Sequence, residues 1–231
     1  MTLKDKAVVI TGGSKGFGRA LAETFLQEGA RVMIASLDKD KLEATAKEIG
    51  ASFCVADVTK EGDMSNLLTE TLKQFGTADI WINNAGLWMA EANADSSYMD
   101  KVRKMFDVNV FGLMNGSRIA LQYMEKQNSG TLINILSIAG VTVRPEIAAY
   151  SASKWAGTGF TKSMREKVKE KNISILAVYP GGMKTDIFGD YKYKNFDQFM
   201  NPKDVAQKVV NNIKLENPEQ DLIIKREGSD K

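Results

Sequence analysis

Short apolar runs alternate with longer amphipathic stretches from one end of the chain to the other. The apolar runs predict seven β-strands, at residues 7–10, 31–35, 53–55, 80–82, 131–136, 173–178 and 222–224. Apolar residues at helical spacing predict helices between them, at residues 20–26, 42–49, 64–75, 102–124, 148–168 and 205–213. Strands and helices that alternate in this way are typical of an α/β fold.

The predicted strands are continuously apolar, which indicates a sheet that is buried on both faces. We therefore predict a Rossmann-like, doubly wound, parallel seven-stranded sheet with helices on both faces. The sequence contains no repeat, low-complexity segment or linker, so we expect residues 1–231 to form a single domain. Ligands of such sheets bind at the carboxyl ends of the strands.

Composition and charge limit the partners. The chain of 231 residues carries 31 basic and 29 acidic side chains, so it provides no strongly basic surface and we expect no nucleic-acid partner. No apolar segment approaches the roughly 20 residues that span a bilayer, and residues 1–6 lead into the first strand without a signal-peptide core. The single Cys54 cannot form an internal disulfide. We therefore expect a cytoplasmic protein without a membrane partner.

The chain contains no histidine. Catalysis by Ser-His-Asp or Cys-His groups and metal sites with histidine ligands are therefore excluded, and we expect no bound metal. Any chemistry must be carried by Tyr, Lys, Ser, carboxylates or an organic cofactor.

A glycine-rich turn separates the first predicted strand from the first predicted helix. Its pattern is Thr-Gly-x-x-x-Gly-x-Gly, from Thr11 to Gly18. Glycines let the backbone approach a pyrophosphate, and the amides at the start of the following helix favour an anion. A turn in this place predicts a site for nucleotide phosphates, although a tight turn alone can require glycine for steric reasons. The predicted binding residues are Gly12, Ser14, Lys15, Gly16, Phe17 and Gly18.

Further motifs follow in order along the chain. They are Asn83-Asn84-Ala85-Gly86, Asp107-Val108-Asn109-Val110, Ser137 after the fifth predicted strand, Tyr150-x-x-x-Lys154, and Tyr179-Pro180-Gly181 with Thr185. With these motifs and the glycine-rich turn, most of the chain resembles the compact, single-domain type of the short-chain dehydrogenase/reductase family. The resemblance implies one NAD(P)-binding domain and an enzyme that transfers hydride between a nicotinamide cofactor and a carbonyl or alcohol group.

The resemblance assigns catalysis to Asn109, Ser137, Tyr150 and Lys154. Tyr150 and Lys154 are four residues apart in a predicted helix, so their side chains share one face. A free phenol has a pKa of about 10, and a neighbouring ammonium favours phenolate, which predicts a lowered pKa for Tyr150 as the acid–base residue. By resemblance, Ser137 bonds the substrate oxygen and Asn109 holds a water that relays protons to Lys154. Ser137 could instead cap local backbone, and Asn109 could instead bend its helix.

The choice of cofactor depends on few positions. Ser36 occupies the family position of an NAD-selecting Asp, which removes the repulsion of a ribose 2′-phosphate, and Lys15 matches a position that is often basic in NADP-dependent members. We therefore expect NADP(H) to be favoured over NAD(H). Leu37, where Arg is common in such members, and Asp38, which could partly replace the missing acid, leave NAD(H) open. The resemblance also places these residues at the cofactor: Asp57, Val58, Asn83, Asn84, Ala85, Gly86, Tyr150, Lys154, Pro180, Gly181 and Thr185.

Candidate substrate residues follow strands that lead toward Tyr150. They are Ser137, Trp88, Val143, Met183 and Phe188, together with Leu87, Ala139, Arg144 and Ile187. The tract of about residues 183–200 is rich in aromatic residues and Met, and it resembles the family's mobile substrate lid. An apolar pocket favours a medium-sized carbonyl compound. The same aromatic residues could instead only pack the loop against the core.

The leading prediction is an NADPH-dependent carbonyl reductase that reduces a ketone or aldehyde, or oxidises an alcohol in reverse, with Tyr150 as proton donor. An NADP(H)-binding sensor or scaffold without turnover is the alternative, and the four family catalytic positions argue against it. The compact length argues against a lyase or epimerase. We expect a homodimer or homotetramer, and pairing of the helices around Asn109 and after Tyr150 would give the dimer. Many members of the family have a Gly-rich segment after the last strand that is used in tetramer packing. Here the residues after 224 are polar, which argues against the tetramer.

Overall fold

The computed structural model describes residues 2–90, 96–191 and 193–226. Its strands are β1 (Ala7–Thr11), β2 (Arg31–Ser36), β3 (Ser52–Val55), β4 (Ile80–Asn83), β5 (Gly130–Ile135), β6 (Ile173–Pro180) and β7 (Asp221–Ile224). Its helices are α1 (Gly16–Gln27), α2 (Lys39–Ile49), α3 (Glu61–Phe75), α4 (Tyr98–Phe106), α5 (Leu113–Gln127), α6 (Ala148–Val168) and α7 (Pro202–Lys214). Every predicted strand is confirmed, with ends that shift by one or two residues.

The strands form a parallel sheet in the order β3-β2-β1-β4-β5-β6-β7. This arrangement confirms the predicted doubly wound α/β fold. The chain moves outward from β1 to β3 and then returns to place β4 beside β1, so the strand order reverses between these two strands. In doubly wound sheets, ligands bind at such a reversal, in the crevice outside the carboxyl ends of the strands.

Alternate residues of the central strands face opposite sides of the sheet. Val8 and Ile10 of β1 belong to a core formed with α1, α2 and α7, whereas Val9 belongs to a second core formed with α3 and α5. Burial on both faces explains why the strands are apolar throughout, and it contributes roughly 25 cal/mol per Å² of apolar surface removed from water. Within the described residues, no helix has both the length and the apolar character needed to cross a membrane.

The helix predicted at residues 102–124 is divided in the structure. A π-helical turn, Asp107–Gly112, joins α4 to α5. A π-helical turn adds one residue to a helical turn, and such turns are frequent at functional sites. Because the apolar residues continue through the turn, their spacing does not reveal it.

A buried polar network fastens the sheet to the helices behind it. Asn83 Nδ2 on β4 donates to Asn134 Oδ1 on β5 and to Ser117 Oγ on α5, both at 2.9 Å. Trp81 Nε1 donates to Asn83 Oδ1 at 3.0 Å, and Asn134 Nδ2 donates to Thr161 Oγ1 on α6 at 2.9 Å. The Asn83 carboxamide is therefore engaged in the core, and the idea that Asn83 lines the cofactor stays a prediction.

Candidate active site

The glycine-rich turn lies at the carboxyl end of β1, in the crevice between β1 and β4. Gly12 has a φ of +67°, in the left-handed region that L side chains rarely adopt. A Cβ on Gly18 would lie 2.2 Å from the carbonyl oxygen of Gly12, so α1 packs directly on the turn. Asn84 Nδ2 donates to the carbonyl oxygens of Thr11 and Gly12, at 2.9 and 3.3 Å. Asn84 therefore fixes the shape of the turn from the end of β4.

The first turn of α1 can receive an anion. Lys15 precedes the helix and makes no side-chain capping bond, so it leaves the first amides of α1 open. Across the crevice, Thr185 in the loop after β6 lies 3.5 Å from the position that a Cβ on Gly16 would occupy. The crevice thus ends at the positive pole of a helix dipole, and these residues fit the pyrophosphate of a dinucleotide.

Ser36 lies at the carboxyl end of β2 and contacts the glycine-rich turn. Ser14 Oγ donates to Ser36 Oγ at 3.0 Å, and Thr45 Oγ1 of α2 donates to the carbonyl oxygen of Ser14 at 2.9 Å. Lys15, the next residue of the turn, is exposed. Two hydroxyls and an exposed ammonium therefore occur together at the start of the loop after β2.

Asp38, the acid that follows Ser36 and Leu37, has a local structural role. Its carboxylate caps α2 by accepting a hydrogen bond from the Lys41 amide at 3.1 Å. A cap of this type satisfies one of the free amides at a helix start. That Asp38 also replaces part of the missing NAD-selecting acid stays the alternative prediction.

Asp57 and Val58 follow β3 in a loop that their own contacts hold in shape. Asp57 Oδ1 accepts hydrogen bonds from the Thr59 amide at 3.0 Å and from Thr59 Oγ1 at 2.7 Å. Burial disfavours the carboxylate, but the bonds from Thr59 outweigh this and hold the pKa of Asp57 below its usual value. Val58 Cγ2 lies 2.6 Å from the position of a Cβ on Gly112, so the loop packs closely on the π-helical turn.

Tyr150 and Lys154 lie one turn apart on α6, and both side chains are buried. Ser137, just after β5, makes a side-chain hydrogen bond with Tyr150, and its Oγ accepts from the Ala139 amide at 3.1 Å. Lys154 Nζ donates to the carbonyl oxygen of Ile135 at 3.2 Å and lies 5.7 Å from the centre of the Tyr150 ring. β5 and α6 thus bring together three of the residues predicted to be catalytic.

Asn109 lies on the π-helical turn and is buried. Its Oδ1 accepts from the Leu87 amide and its Nδ2 donates to the Leu87 carbonyl, both at 2.8 Å. The same Nδ2 donates to Ser153 Oγ at 3.0 Å, and Ser153 Oγ donates to the carbonyl oxygen of Tyr150 at 2.7 Å. Asn109 therefore ties the loop after β4 to the helical turn that carries Tyr150. The sequence prediction omits Ser153, whose one signal is its place just before Lys154.

Gly86 lets this loop approach the catalytic residues closely. A Cβ on Gly86 would lie 3.3 Å from Asn109 Oδ1 and 3.7 Å from Lys154 Nζ. Asn109 and Lys154 therefore flank the same point of the backbone, and all four residues predicted to be catalytic surround one site.

Burial sets the proton affinity of both ionisable groups at this site. It raises the pKa of Tyr150 to about 12, while the Ser137 bond lowers it and Tyr193 raises it further. It lowers the pKa of Lys154 to about 8. The direction for Tyr150 is opposite to the sequence prediction, because the loss of water around a buried phenolate outweighs the lowering by the Ser137 bond. At neutral pH the phenol is protonated and can donate.

An apolar cluster surrounds the Tyr150 ring. Its other buried members are Met89, Met105 and Ala139. Trp88 packs against this cluster and contacts Phe188 edge-on, with 5.1 Å between the ring centres. The structure thus brings Trp88 and Phe188 to the Tyr150 side, and their role as substrate residues stays a prediction. The sequence prediction omits Met89 and Met105, because an isolated Met carries no signal of its position.

Two other predicted substrate residues, Val143 and Met183, are outside the apolar cluster around Tyr150. Val143 is 87% exposed. Met183 forms an isolated parallel bridge with Met200, and both pack against the core that contains α1 and α7. That Val143 and Met183 bind the substrate stays a prediction. Both residues are in loops, whose path depends on tertiary contacts.

A doubly wound sheet with a phosphate-binding turn and a buried Tyr–Lys pair defines a class of dinucleotide-dependent enzymes. The profile of one family in this class, short chain dehydrogenase, matches residues 6–195. The chain therefore belongs to the short-chain dehydrogenase family and is an oxidoreductase that uses a nicotinamide cofactor.

Similar proteins agree with this assignment. An uncharacterised oxidoreductase of Staphylococcus saprophyticus is 34% identical over 201 residues, which are 85% of this chain and 81% of the relative. A second such oxidoreductase, from Staphylococcus aureus, is 33% identical over 211 residues, 90% of each chain.

Solved structures share the fold. The 3-ketoacyl-(acyl-carrier-protein) reductase from Brucella melitensis, complexed with NADH, has a TM-score of 0.88 and 27% identity, over 96% of this chain and 97% of that chain. The alcohol dehydrogenase from Thermococcus sibiricus, complexed with 5-hydroxy-NADP, has a TM-score of 0.84 and 22% identity, over 96% of this chain and 97% of that chain. At 22% identity, the similarity to the Thermococcus sibiricus protein shows a shared fold only.

Proposed function

We propose that this oxidoreductase is an NADPH-dependent carbonyl reductase, which reduces a ketone or aldehyde to an alcohol and catalyses the reverse oxidation. The observation that carries the proposal is the buried Tyr150 phenol, which is bonded to Ser137 and adjacent to Lys154. A sensor that only binds the cofactor does not need a protonated donor at this place. The similar Brucella melitensis protein is a ketoacyl reductase, which also supports a carbonyl substrate.

The residues of the chain handle the proton and the substrate oxygen. When bound, the reduced cofactor supplies the hydride that adds to the carbonyl carbon. Ser137 bonds the carbonyl oxygen and orients it beside the Tyr150 hydroxyl. Tyr150 gives its phenolic proton to that oxygen as negative charge develops there, so the carbonyl gains one hydride and one proton and becomes an alcohol. Lys154, as an ammonium, stabilises the phenolate that remains.

Asn109 contributes to the same reaction by positioning Tyr150. Its bonds to Leu87 and Ser153 hold the backbone of Tyr150 in place. By family resemblance it also relays a proton to Lys154, and this role requires the two side chains to be close. The Oδ1 of Asn109 and the Nζ of Lys154 both lie within 3.7 Å of the position of a Cβ on Gly86.

The absorbance of reduced nicotinamide tests this function. Purified protein is mixed with NADPH and a panel of ketones and aldehydes, at pH values from about 6 to about 10. We expect NADPH to be consumed with at least one carbonyl compound, and kcat to fall as the pH rises through about 8. The fall follows from Lys154, whose lowered pKa of about 8 means that its ammonium is present below this pH and lost above it. NADPH binding without consumption for every compound would contradict the proposal.

We also propose that NADP(H) is preferred to NAD(H). Ser36 carries no charge and is hydrogen-bonded to Ser14 in the glycine-rich turn. The exposed Lys15 directly follows Ser14 in the chain. An ammonium beside two hydroxyls is suited to a ribose 2′-phosphate. In this arrangement the adenine would lie at Asp57 and Val58. The cofactor ribose and nicotinamide would contact Asn84, Ala85, Gly86, Tyr150, Lys154, Pro180, Gly181 and Thr185.

Replacing Ser36 with Asp should reverse this preference. The new carboxylate would repel a 2′-phosphate and bond ribose hydroxyls, so we expect the NADPH/NADH ratio of kcat/KM to fall at least about tenfold. Ser14 can still donate to the carboxylate, so the turn should keep its shape. Ser65→Asp, which adds the same charge to an exposed position of α3, is the control and should leave the ratio unchanged. An unchanged ratio in Ser36→Asp would place the 2′-phosphate elsewhere.

We further propose that the chain forms a homodimer through α5 and α6. Phe111, just before α5, is 54% exposed, and Trp155 on α6 is 48% exposed. Large apolar side chains exposed on neighbouring helices are suited to pairing across a two-fold axis. Sedimentation of the protein as a monomer at micromolar concentration would contradict this arrangement.

A further inference from the structure

Six aromatic side chains form a continuous group over the site, which we call the aromatic cluster. Its members are Trp88, Phe188, Tyr191, Tyr193, Phe196 and Phe199. The contacts between these rings are edge-to-face or tilted, with ring centres 4.9 Å apart for Tyr191 and Tyr193 and 5.7 Å apart for Trp88 and Tyr193. These arrangements are the ones that aromatic quadrupoles favour. The cluster therefore has a defined geometry.

Trp88 and Tyr193 connect the aromatic cluster to the catalytic residues. Trp88 packs against the apolar cluster that contains Tyr150, and its indole N–H donates to the Tyr193 hydroxyl. Burial accounts for most of the rise in the pKa of Tyr150, and the neighbouring Tyr193 phenol adds to it. Tyr193 therefore lies on the Tyr150 side of the aromatic cluster, in contact with Trp88 and near enough to Tyr150 to affect its pKa.

Trp88 and Tyr193 are only partly buried, so part of their surface is exposed to solvent and could contact a ligand. Burial raises the pKa of Tyr193 to about 12, so this ring is uncharged at neutral pH. Glu146 raises the pKa of Tyr193 and Arg144 lowers it, because their charges are opposite. The opposite charges offset each other, so the surroundings favour an uncharged group over a phosphate or a carboxylate.

We propose that Trp88 and Tyr193 hold a flat aromatic group attached to the reacting carbonyl, so that the substrates are aryl ketones and aryl aldehydes. The inference rests on the proposed carbonyl reductase function and deepens it. A planar ring can present its edge or face to both side chains while its carbonyl oxygen reaches Ser137 and Tyr150. A puckered ring of the same size fills the same volume but loses these contacts. Trp88 and Tyr193 are thus specificity-determining residues.

Two ketones of matched size test this inference. Acetophenone and cyclohexyl methyl ketone both carry an acetyl group on a six-membered ring, and only the first ring is flat. The acetophenone/cyclohexyl ratio of kcat/KM is measured for the wild type, Trp88→Leu and Tyr193→Leu. We expect the ratio to fall about threefold to tenfold in each variant, the range that aromatic pairs provide beyond buried area. Because each protein is compared with the same two compounds, their intrinsic reactivities cancel.

Two further variants control for folding and for general effects of the loop. Tyr193→Phe keeps the ring and should keep the ratio. Phe196→Leu removes a ring that is 36% exposed and that, among the aromatic rings of the described residues, contacts those of Phe188 and Phe199 and not those of Trp88 and Tyr193. We expect its ratio to stay near that of the wild type. Unchanged NADPH affinity and melting temperature show that a variant is folded.

The outcomes separate this inference from the function on which it rests. A ratio that is unchanged in both Trp88→Leu and Tyr193→Leu would overturn the inference. So would faster reduction of both ketones in these variants, which would mean that the rings obstruct the site. A wild type that reduces aliphatic carbonyls but not acetophenone overturns the substrate class and leaves the carbonyl reductase function intact. If no carbonyl compound is reduced, both proposals fail.

Discussion

Tyr150→Phe should lower kcat for carbonyl reduction by a factor on the order of 10² to 10⁴, with NADPH affinity unchanged. The substitution removes the hydroxyl that donates the proton and keeps the ring that packs with Met89, Met105 and Ala139. The phenol is protonated at neutral pH, since burial raises its pKa to about 12, so wild-type enzyme is fully competent as a donor there. Turnover by absorbance and cofactor affinity by fluorescence titration measure the two effects separately.

Tyr179→Phe is the matched control. Tyr179 is also buried, on β6, and its hydroxyl donates to Asp221 Oδ1 at 3.3 Å, away from the site. Loss of that bond should cost about 1 kcal/mol of stability and leave kcat near the wild-type value. Equal turnover in Tyr150→Phe and Tyr179→Phe would show that Tyr150 is not the donor.

Gly18→Ala should weaken NADPH binding by about 10- to 100-fold and lower the melting temperature. The new Cβ would lie 2.2 Å from the Gly12 carbonyl oxygen and 2.5 Å from Asn84 Nδ2. Backbone cannot yield to such an overlap as a flexible side chain can, so α1 and the glycine-rich turn must separate. The amides of α1 would then no longer face the phosphates together with the turn. Calorimetric titration with NADPH measures the loss.

Gly159→Ala provides the control for adding a methyl group to a helical glycine. Gly159 lies on α6, and a Cβ there would meet no atom within 4 Å. We expect this variant to gain about 0.5–1 kcal/mol of stability from helix propensity, with unchanged affinity for NADPH. If Gly18→Ala bound NADPH as tightly as Gly159→Ala, the glycine-rich turn would not be the cofactor site.

The fold could be predicted because its strands are buried on both faces. A run such as Val8-Val9-Ile10 is apolar at every position, and the helices between such runs keep a clear apolar stripe. The π-helical turn at Asp107–Gly112 could not be predicted in this way. Its position is associated with the bonds of Asn109 to Leu87 and Ser153, which join residues distant in sequence.

The sequence was sufficient to identify the residues of the site. It was not sufficient to predict how deeply they are buried or which side chains surround them. Motif order identified Asn109, Ser137, Tyr150 and Lys154, and the structure brings them together. The direction of the Tyr150 pKa was not predictable from the spacing to Lys154, because it depends on how deeply the phenol is buried. The position of Tyr193 depends on the path of its loop.

Transfer of a labelled hydride is the most direct test of the central claim. NADPH that carries deuterium at the transferred position of the nicotinamide is incubated with the protein and a ketone that supports NADPH consumption, and the alcohol product is analysed by mass spectrometry. We expect one deuterium on the carbinol carbon with the wild type, and labelled alcohol reduced to trace amounts with Tyr150→Phe. An alcohol without deuterium, or no alcohol while NADPH remains bound, would contradict hydride transfer to a carbonyl at this site.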